Sequence, residues 1–353
     1  MTHSSPALSL SQLNSSTLIQ HAYGVVHQQL HWKTFDNKKL SVYLRRDDLA
    51  SEHYPGNKWY KLFYNLQAIL AAGHKTVVSF GGAYSNHIHA LAAMGQQYGL
   101  NTVGIIRGYK PKTLSSTLHD AESCGMRLLF LEHSAYRNKD ISQFSDLLAA
   151  EYGGAVGNVT HGEIGESEES GESGEGGEGG EGGDGAGYYC LPEGGDNPLG
   201  IKGCQAIGQA IQQHFSGDYT VCCAAGTGTT LAGIISAMPE HIECLGFSAL
   251  KGEDTLSAHI TQRLEEVECY HQQWRIINDY HHGGYAKTTP ELLQFMVEME
   301  VANNVLLEPV YSAKMLWGID QLAQADYWPQ GSTVVAVHGG GIQGRRGFDL
   351  PVL

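Results

Sequence analysis

Thr76-Val77-Val78-Ser79-Phe80-Gly81-Gly82-Ala83-Tyr84-Ser85-Asn86-His87 decides how this chain reads. The first five residues, apolar and β-branched, read as a buried strand, and the glycine pair reads as a turn. Ser85 stands where a helix over 85–98 begins. A strand over 102–106, a helix over 115–124 and a strand over 127–131 follow. Strands alternating with helices imply right-handed βαβ units and a parallel sheet. On such sheets ligands sit beyond the carboxyl ends of strands, at helix N-termini. Backbone N–H groups, the helix dipole and the side chains of Ser85 and Asn86 therefore suit an anion such as a carboxylate. The plainer alternative is a turn followed by an ordinary N-cap serine.

Toward the N-terminus, residues 40–48 read as a strand that ends in charge, and residues 1–38 carry weak signals. Between them and the quoted stretch lies Gly56-Asn57-Lys58-Trp59-Tyr60-Lys61-Leu62, which opens an apolar-periodic run through Leu66, Ile69 and Leu70. Lys58 thus stands where a loop becomes a helix, free to reach into a cleft. In an apolar site the charged form of a lysine is disfavoured, and the free amine becomes available for carbonyl chemistry. One lysine at a helix start is more often simply solvated.

Toward the C-terminus, residues 163–184 hold nine acids and no Lys or Arg, with repeated Glu-Gly-Gly. Such a segment cannot offset its ordering entropy and is expected to be a disordered, tolerated insertion. Alternation then resumes, with strands expected over 188–192, 219–224, 244–247, 274–277 and 333–337. Helices are expected over 199–215, 229–237, 291–302 and 313–323. A second glycine turn, Ala225-Gly226-Thr227-Gly228-Thr229-Thr230-Leu231, lies between a strand and a helix, and its amides and hydroxyls suit a phosphate. It is not a Walker A motif. Gly226 and Gly228 match two glycines of a dinucleotide fingerprint, but Leu231 stands at the third, so that reading is disfavoured.

The 353 residues suffice for two lobes, and 42% hydrophobic content with 45 glycines suits an α/β protein with many turns. The formal charge of −15 falls to −6 outside the acidic segment. No basic cluster interleaved with aromatics marks a nucleic-acid surface, and no apolar run reaches membrane-spanning length. The N-terminus lacks the pattern of a signal peptide, and seven scattered cysteines read as reduced core thiols, so a cytoplasmic location is expected. His87/His89 and His281-His282 lack a carboxylate partner at ligand spacing, so no metal site is expected.

Taken together, five stretches resemble the pyridoxal-phosphate (PLP) dependent family of 1-aminocyclopropane-1-carboxylate (ACC) deaminases and D-cysteine desulfhydrases. They are Gly56-Asn57-Lys58 with Lys61-Leu62, residues 79–87, Gly194-Gly195 with Pro198-Leu199-Gly200, residues 226–230, and Pro309-Val310-Tyr311. The resemblance runs from about 40 to 341, interrupted by the acidic segment. It implies a fold like the tryptophan synthase β-subunit: α/β, two lobes, each a mainly parallel twisted sheet flanked by helices, with PLP in the cleft between them. The larger lobe would comprise 1–62 and 187–353, the smaller lobe 63–150, and the insertion 151–186. Lys58 would be the Schiff-base lysine. Gly226, Thr227, Gly228, Thr229 and Thr230 would hold the phosphate, and Asn86 would lie beside the ring. Ser85 would meet the substrate carboxylate or act at the reacting carbon, and Tyr311 would face the substrate.

The chain departs from the deaminases at two positions. They resemble one another in Glu after the active-site Tyr and Leu after the last-strand His, where this chain has Ser312 and Gly339. Desulfhydrases tend to place small hydroxyl residues at both, so Ser312 fits them and becomes the candidate ring-nitrogen partner, while Gly339 fits neither group. The expectation is a PLP-dependent lyase on a small amino acid, D-cysteine first and ACC as the alternative, working as a homodimer or higher homo-oligomer. A non-catalytic PLP-binding protein is the alternative from another class.

Overall fold

The computed structural model describes residues 8–50, 56–139, 144–152, 188–252 and 255–350. In chain order the strands are β1 (His27–Gln29), β2 (Ser41–Arg45), β3 (Thr76–Gly81), β4 (Asn101–Arg107), β5 (Arg127–Leu131), β6 (Tyr188–Leu191), β7 (Thr220–Ala225), β8 (Glu243–Ser248), β9 (Trp274–Ile277) and β10 (Thr333–Val337). The helices are α1 (Ser15–Tyr23), α2 (Lys33–Lys38), α3 (Asn57–Ala71), α4 (Asn86–Tyr98), α5 (Ser116–Ser123), α6 (His133–Arg137), α7 (Ser145–Tyr152), α8 (Pro198–His214), α9 (Thr229–Ile235), α10 (Thr255–Glu265), α11 (Pro290–Asn303) and α12 (Ser312–Gln324).

Two sheets organise the chain. One has six strands in the order β1-β2-β10-β7-β8-β9, the other four in the order β5-β4-β3-β6. Every pairing is parallel except β1 with β2. The two-sheet α/β fold with mainly parallel strands is thus as the sequence implied. β3 is buried along its whole length, because helices cover both faces of a parallel sheet and leave no polar side.

One element falls on the other side of the expected lobe boundary. Residues from 187 onward were assigned to the larger lobe, yet Tyr188–Leu191 pairs with β3 in the smaller sheet. Its four residues are all buried, so its pattern has no polar face to indicate a sheet. The Ser79 hydroxyl secures it by donating to the Leu191 carbonyl at 2.8 Å. The acidic insertion lies outside the described residues, except that 151–152 end α7.

Strand order places the site. In the larger sheet the connections diverge between β10 and β7; in the smaller sheet they diverge between β3 and β6. Both are crevices where the loops leaving adjacent strands part, and a ligand can enter there. Helices α3 and α8 pack tightly beside them: a Cβ at Gly203 would lie 1.9 Å from the Tyr60 carbonyl oxygen. Inward-facing Tyr60, Leu62, Phe63, Leu66 and Ile69 anchor α3, each at most 1% exposed. Burial of each contributes roughly 1.5–3 kcal/mol.

The charge in which the second strand ends is itself buried. Arg45 and Asp47 are 0% exposed and ion-paired at 2.8 Å. The Tyr60 hydroxyl donates to Asp47 Oδ1 at 2.8 Å, and Asp47 O accepts from the Gly56 amide at 2.8 Å. The network therefore ties the end of β2 to the start of α3. All seven cysteines are free thiols. Among the described residues, no helix is long and apolar enough to cross a membrane.

Candidate active site

A cavity of about 310 Å³ opens between the two sheets, at the carboxyl ends of their central strands. Its floor is the start of α3. Gly56 precedes that helix with φ +85°, and a Cβ there would lie 2.1 Å from the Gly339 carbonyl oxygen. Only glycine permits both the left-handed backbone and this approach. The Asn57 amide donates to that same oxygen at 3.2 Å, which seats α3 against the loop after β10. Lys58 then reaches into the cavity, where its Nζ donates to Asn57 Oδ1 at 2.7 Å. Asn57 Nδ2 donates in turn to Thr230 Oγ1 at 2.8 Å.

Burial, helped by the like charge of Lys61, lowers the Lys58 amine to a pKa of about 7. Lys61, one turn further along the same helix face, points its Nζ to Thr227 Oγ1 at 3.3 Å. Burial lowers its pKa too. The structure thus places two amines in one cavity, held apart by different partners.

The loop after β7 forms one wall. Gly226, Thr227, Gly228 and Thr230 line the cavity, and Thr229 does not. The Thr229 hydroxyl turns away and donates to Asp196 Oδ1 at 2.8 Å. Asp196 also meets His259 at 2.6 Å and Arg263 at 3.2 Å. Burial alone would raise its pKa, but the His259 hydrogen bond and the Arg263 charge hold it at about 2. The loop is therefore braced from behind by a carboxylate that stays ionised. A Cβ at Gly226 would stand 3.2 Å from the Tyr311 hydroxyl, so the missing side chain leaves a recess beside that phenol.

The turn after β3 forms the opposite wall, with Gly82, Ser85, Asn86 and His87. Ser85 Oγ accepts from the Ile88 amide at 3.3 Å as an N-cap, which leaves its proton for a further acceptor. Asn86 Oδ1 accepts from Gln343 at 2.8 Å, and a Cβ on Gly341 would come within 2.2 Å of Asn86 Nδ2. His87 Nε2 lies 2.8 Å from Ser79 Oγ. Because that hydroxyl already donates to Leu191, His87 must donate to it, and its buried Nδ1 is left without a partner. Burial, with Lys58 and Lys61 nearby, keeps the ring neutral.

Tyr311 and Tyr285 complete the cavity, their rings 6.2 Å apart. Burial raises the Tyr311 pKa, so it remains a neutral phenol. Ser312 lines the wall beside it, its Oγ accepting from the Glu308 amide at 2.8 Å and donating to the Glu308 carbonyl at 3.1 Å. The Glu308 carboxylate is 1% exposed and accepts from the Val310 and Tyr311 amides at 2.8 Å and from Ser312 N at 2.5 Å. It caps α12 rather than facing the cavity.

Beside Glu193 of the loop before α8, Tyr285 and Arg107 also line the cavity without having been singled out from sequence. Two signals pointed there. Gly283 and Gly284 take φ values of +95° and +112°, so the glycine pair marked a turn presenting an aromatic. Arg107 ends β4, and strand ends on such sheets hold ligands.

Pyridoxal phosphate requires an amine for its aldehyde, a seat for a phosphate and a recess for its ring. The buried Lys58 amine, the Gly226–Thr230 loop with Lys61, and the recess left by Gly226 fit these needs. The chain is similar to an ACC deaminase of Ralstonia nicotianae, 27% identical over 330 residues covering 88% of this chain and 90% of that one. It is also similar to the bifunctional D-cysteine desulfhydrase/ACC deaminase, mitochondrial, of Arabidopsis thaliana. That match is 24% identical over 319 residues, 86% of this chain and 73% of that one. The crystal structure of an ACC deaminase homologue shares the fold, with a TM-score of 0.72, 22% identity and coverage of 91% and 90%. The match of residues 29–340 to the model of pyridoxal-phosphate dependent enzymes agrees with this cavity, and the chain belongs to that family.

Proposed function

We propose that the chain is a lyase that removes a β-leaving group from a small amino acid, with D-cysteine as its substrate. D-cysteine and water would give pyruvate, ammonia and sulfide. When bound, PLP supplies an electron sink for the carbanion formed at the substrate α-carbon. Lys58 is the residue to carry it, since its amine is neutral over half the time above pH 7. Gly226, Thr227, Gly228 and Thr230 are the seat for the phosphate, with Thr229 braced behind them and Lys61 adding positive charge. Asn86 is held beside the ring position, and Ser312 is the residue to meet the ring nitrogen. Ser85 and the first amides of α4 receive the substrate carboxylate. Tyr311 holds its proton and is placed to donate it.

One observation supports desulfhydration over ring opening: among the described residues, no carboxylate with a free oxygen lines the cavity. Glu193 is the acid in the lining, and Tyr136 and Lys139 take its two oxygens. Ser312 is neutral and bonded to backbone. Ring opening of ACC needs a strong electron sink, which a carboxylate at the ring nitrogen would reinforce. Sulfide departs readily once the α-proton is lost and asks less of the ring. ACC deaminase is the second reading, because a relative of that name aligns over 88% of the chain. Pyruvate with sulfide from D-cysteine and α-ketobutyrate from ACC are measured at matched concentrations. D-cysteine is expected to turn over at least tenfold faster; faster ACC turnover sinks the reading, and silence on both favours a non-catalytic PLP binder.

A further inference from the structure

Among the described residues, each charged side chain of the cavity lining has a partner except one. Lys58 is held by Asn57, Lys61 by Thr227, and Glu193 by Tyr136 and Lys139. Arg107 lines the same cavity with no hydrogen bond or ion pair to a described residue. Its guanidinium carbon lies 6.0 Å from the centre of the Tyr136 ring. One terminal nitrogen stands 3.7 Å from where a Cβ on Gly82 would be, so the group overhangs the turn after β3.

The anions already assigned have other seats. The substrate carboxylate has Ser85 and the opening amides of α4, and the cofactor phosphate has the loop after β7 with Lys61. The carboxylate of Glu193, which could have neutralised Arg107, is bonded instead to Tyr136 and Lys139. A planar guanidinium at the cavity mouth, supported by an aromatic face and left unpaired, is suited to bidentate capture of an oxyanion. We propose that Arg107 selects amino-acid substrates whose β-substituent carries its own negative charge and can leave with its bonding pair, a sulfonate or a phosphate. This rests on the lyase reading and extends it from the thiol of cysteine to oxyanionic leaving groups. In such an elimination the α-proton is lost, and the bond from Cβ to the substituent breaks with its electron pair going to the leaving group. Water then converts the released enamine to pyruvate and ammonia.

The test uses the holoenzyme and both enantiomers of two neutral substrates, 3-chloroalanine and O-acetylserine, and two anionic ones, O-phosphoserine and S-sulfocysteine. Wild type is expected to favour the anionic pair in kcat/KM by at least tenfold. Arg107→Gln is expected to remove that preference through KM while leaving the neutral pair, the PLP content and the Tm unchanged, with Arg107→Lys retaining part of it. A second readout needs no turnover: calorimetric binding of aspartate against asparagine, expected at least tenfold tighter for aspartate in wild type and equal in Arg107→Gln. Equal treatment of neutral and anionic ligands by wild type overturns the proposal, as does an equal loss of both in Arg107→Gln. If no compound gives pyruvate but the Arg107-dependent binding preference persists, the lyase reading fails and the role of Arg107 stands.

Discussion

Lys58 owes its chemistry to position more than to type. A solvated lysine is almost wholly protonated at pH 7, whereas burial and the Lys61 charge bring this amine to about 7. The sign follows directly: below pH 7 the amine is mostly ammonium, above it mostly free. Uptake of PLP by the apoprotein is therefore expected to speed up as pH rises through about 7 and to level off beyond it. Lys61→Met removes the like charge, so the midpoint should move to higher pH. Mass spectrometry after borohydride reduction locates the attachment. The PLP mass increment should vanish in Lys58→Ala and remain in Lys61→Ala; the reverse result would show that the two roles are exchanged.

At the scale of elements, the start of α3 is where sheet, loop and the buried Lys58 amine are joined. Asp47 holds Arg45 and Tyr60 through its side chain and the Gly56 amide through its carbonyl, one residue before the helix. Removing one member of a buried ion pair leaves an uncompensated charge, which costs roughly 3–5 kcal/mol. Asp47→Asn keeps the shape but leaves the Arg45 guanidinium without its counter-charge. Denaturant unfolding is expected to show a loss of that order. Because the network aims α3, PLP uptake should also slow under conditions where the variant is still folded. A loss under 1 kcal/mol would show that the pair is not what secures this junction.

For the whole molecule, the acidic segment is a question of connectivity. It joins α7 to β6, and residues 163–184 hold nine acids and no base. Entropy of loop closure changes by only about 0.6 kcal/mol per doubling of length. Replacing 163–186 by a short Gly/Ser turn is therefore expected to leave Tm and PLP content within error of wild type. A fall of several degrees, or loss of PLP, would assign the segment a structural part.

Some features of this protein were determined by the sequence alone. Alternating apolar runs and helix starts made the α/β sheets legible, since such patterns reflect burial on a repeat of two or 3.6 residues. The two glycine turns between strand and helix were legible, and so was Lys58 at a helix start, because turn chemistry is local. What is not local had to await the fold. Tyr188–Leu191 has no polar face, so only strand pairing decided that it belongs beside β3. The sequence showed charge at the end of β2, and only packing against Tyr60 showed that it is buried. Thr229 and Thr230 are neighbours in one motif, yet Asp196, 33 residues earlier, turns the first away from the cavity. Arg107 and Tyr285 reach the site from different strands and loops, so no spacing in the chain links them to Lys58. A periodic pattern records which side of an element is buried; it does not record what the buried or unpaired group meets there, because that depends on residues far away in the chain.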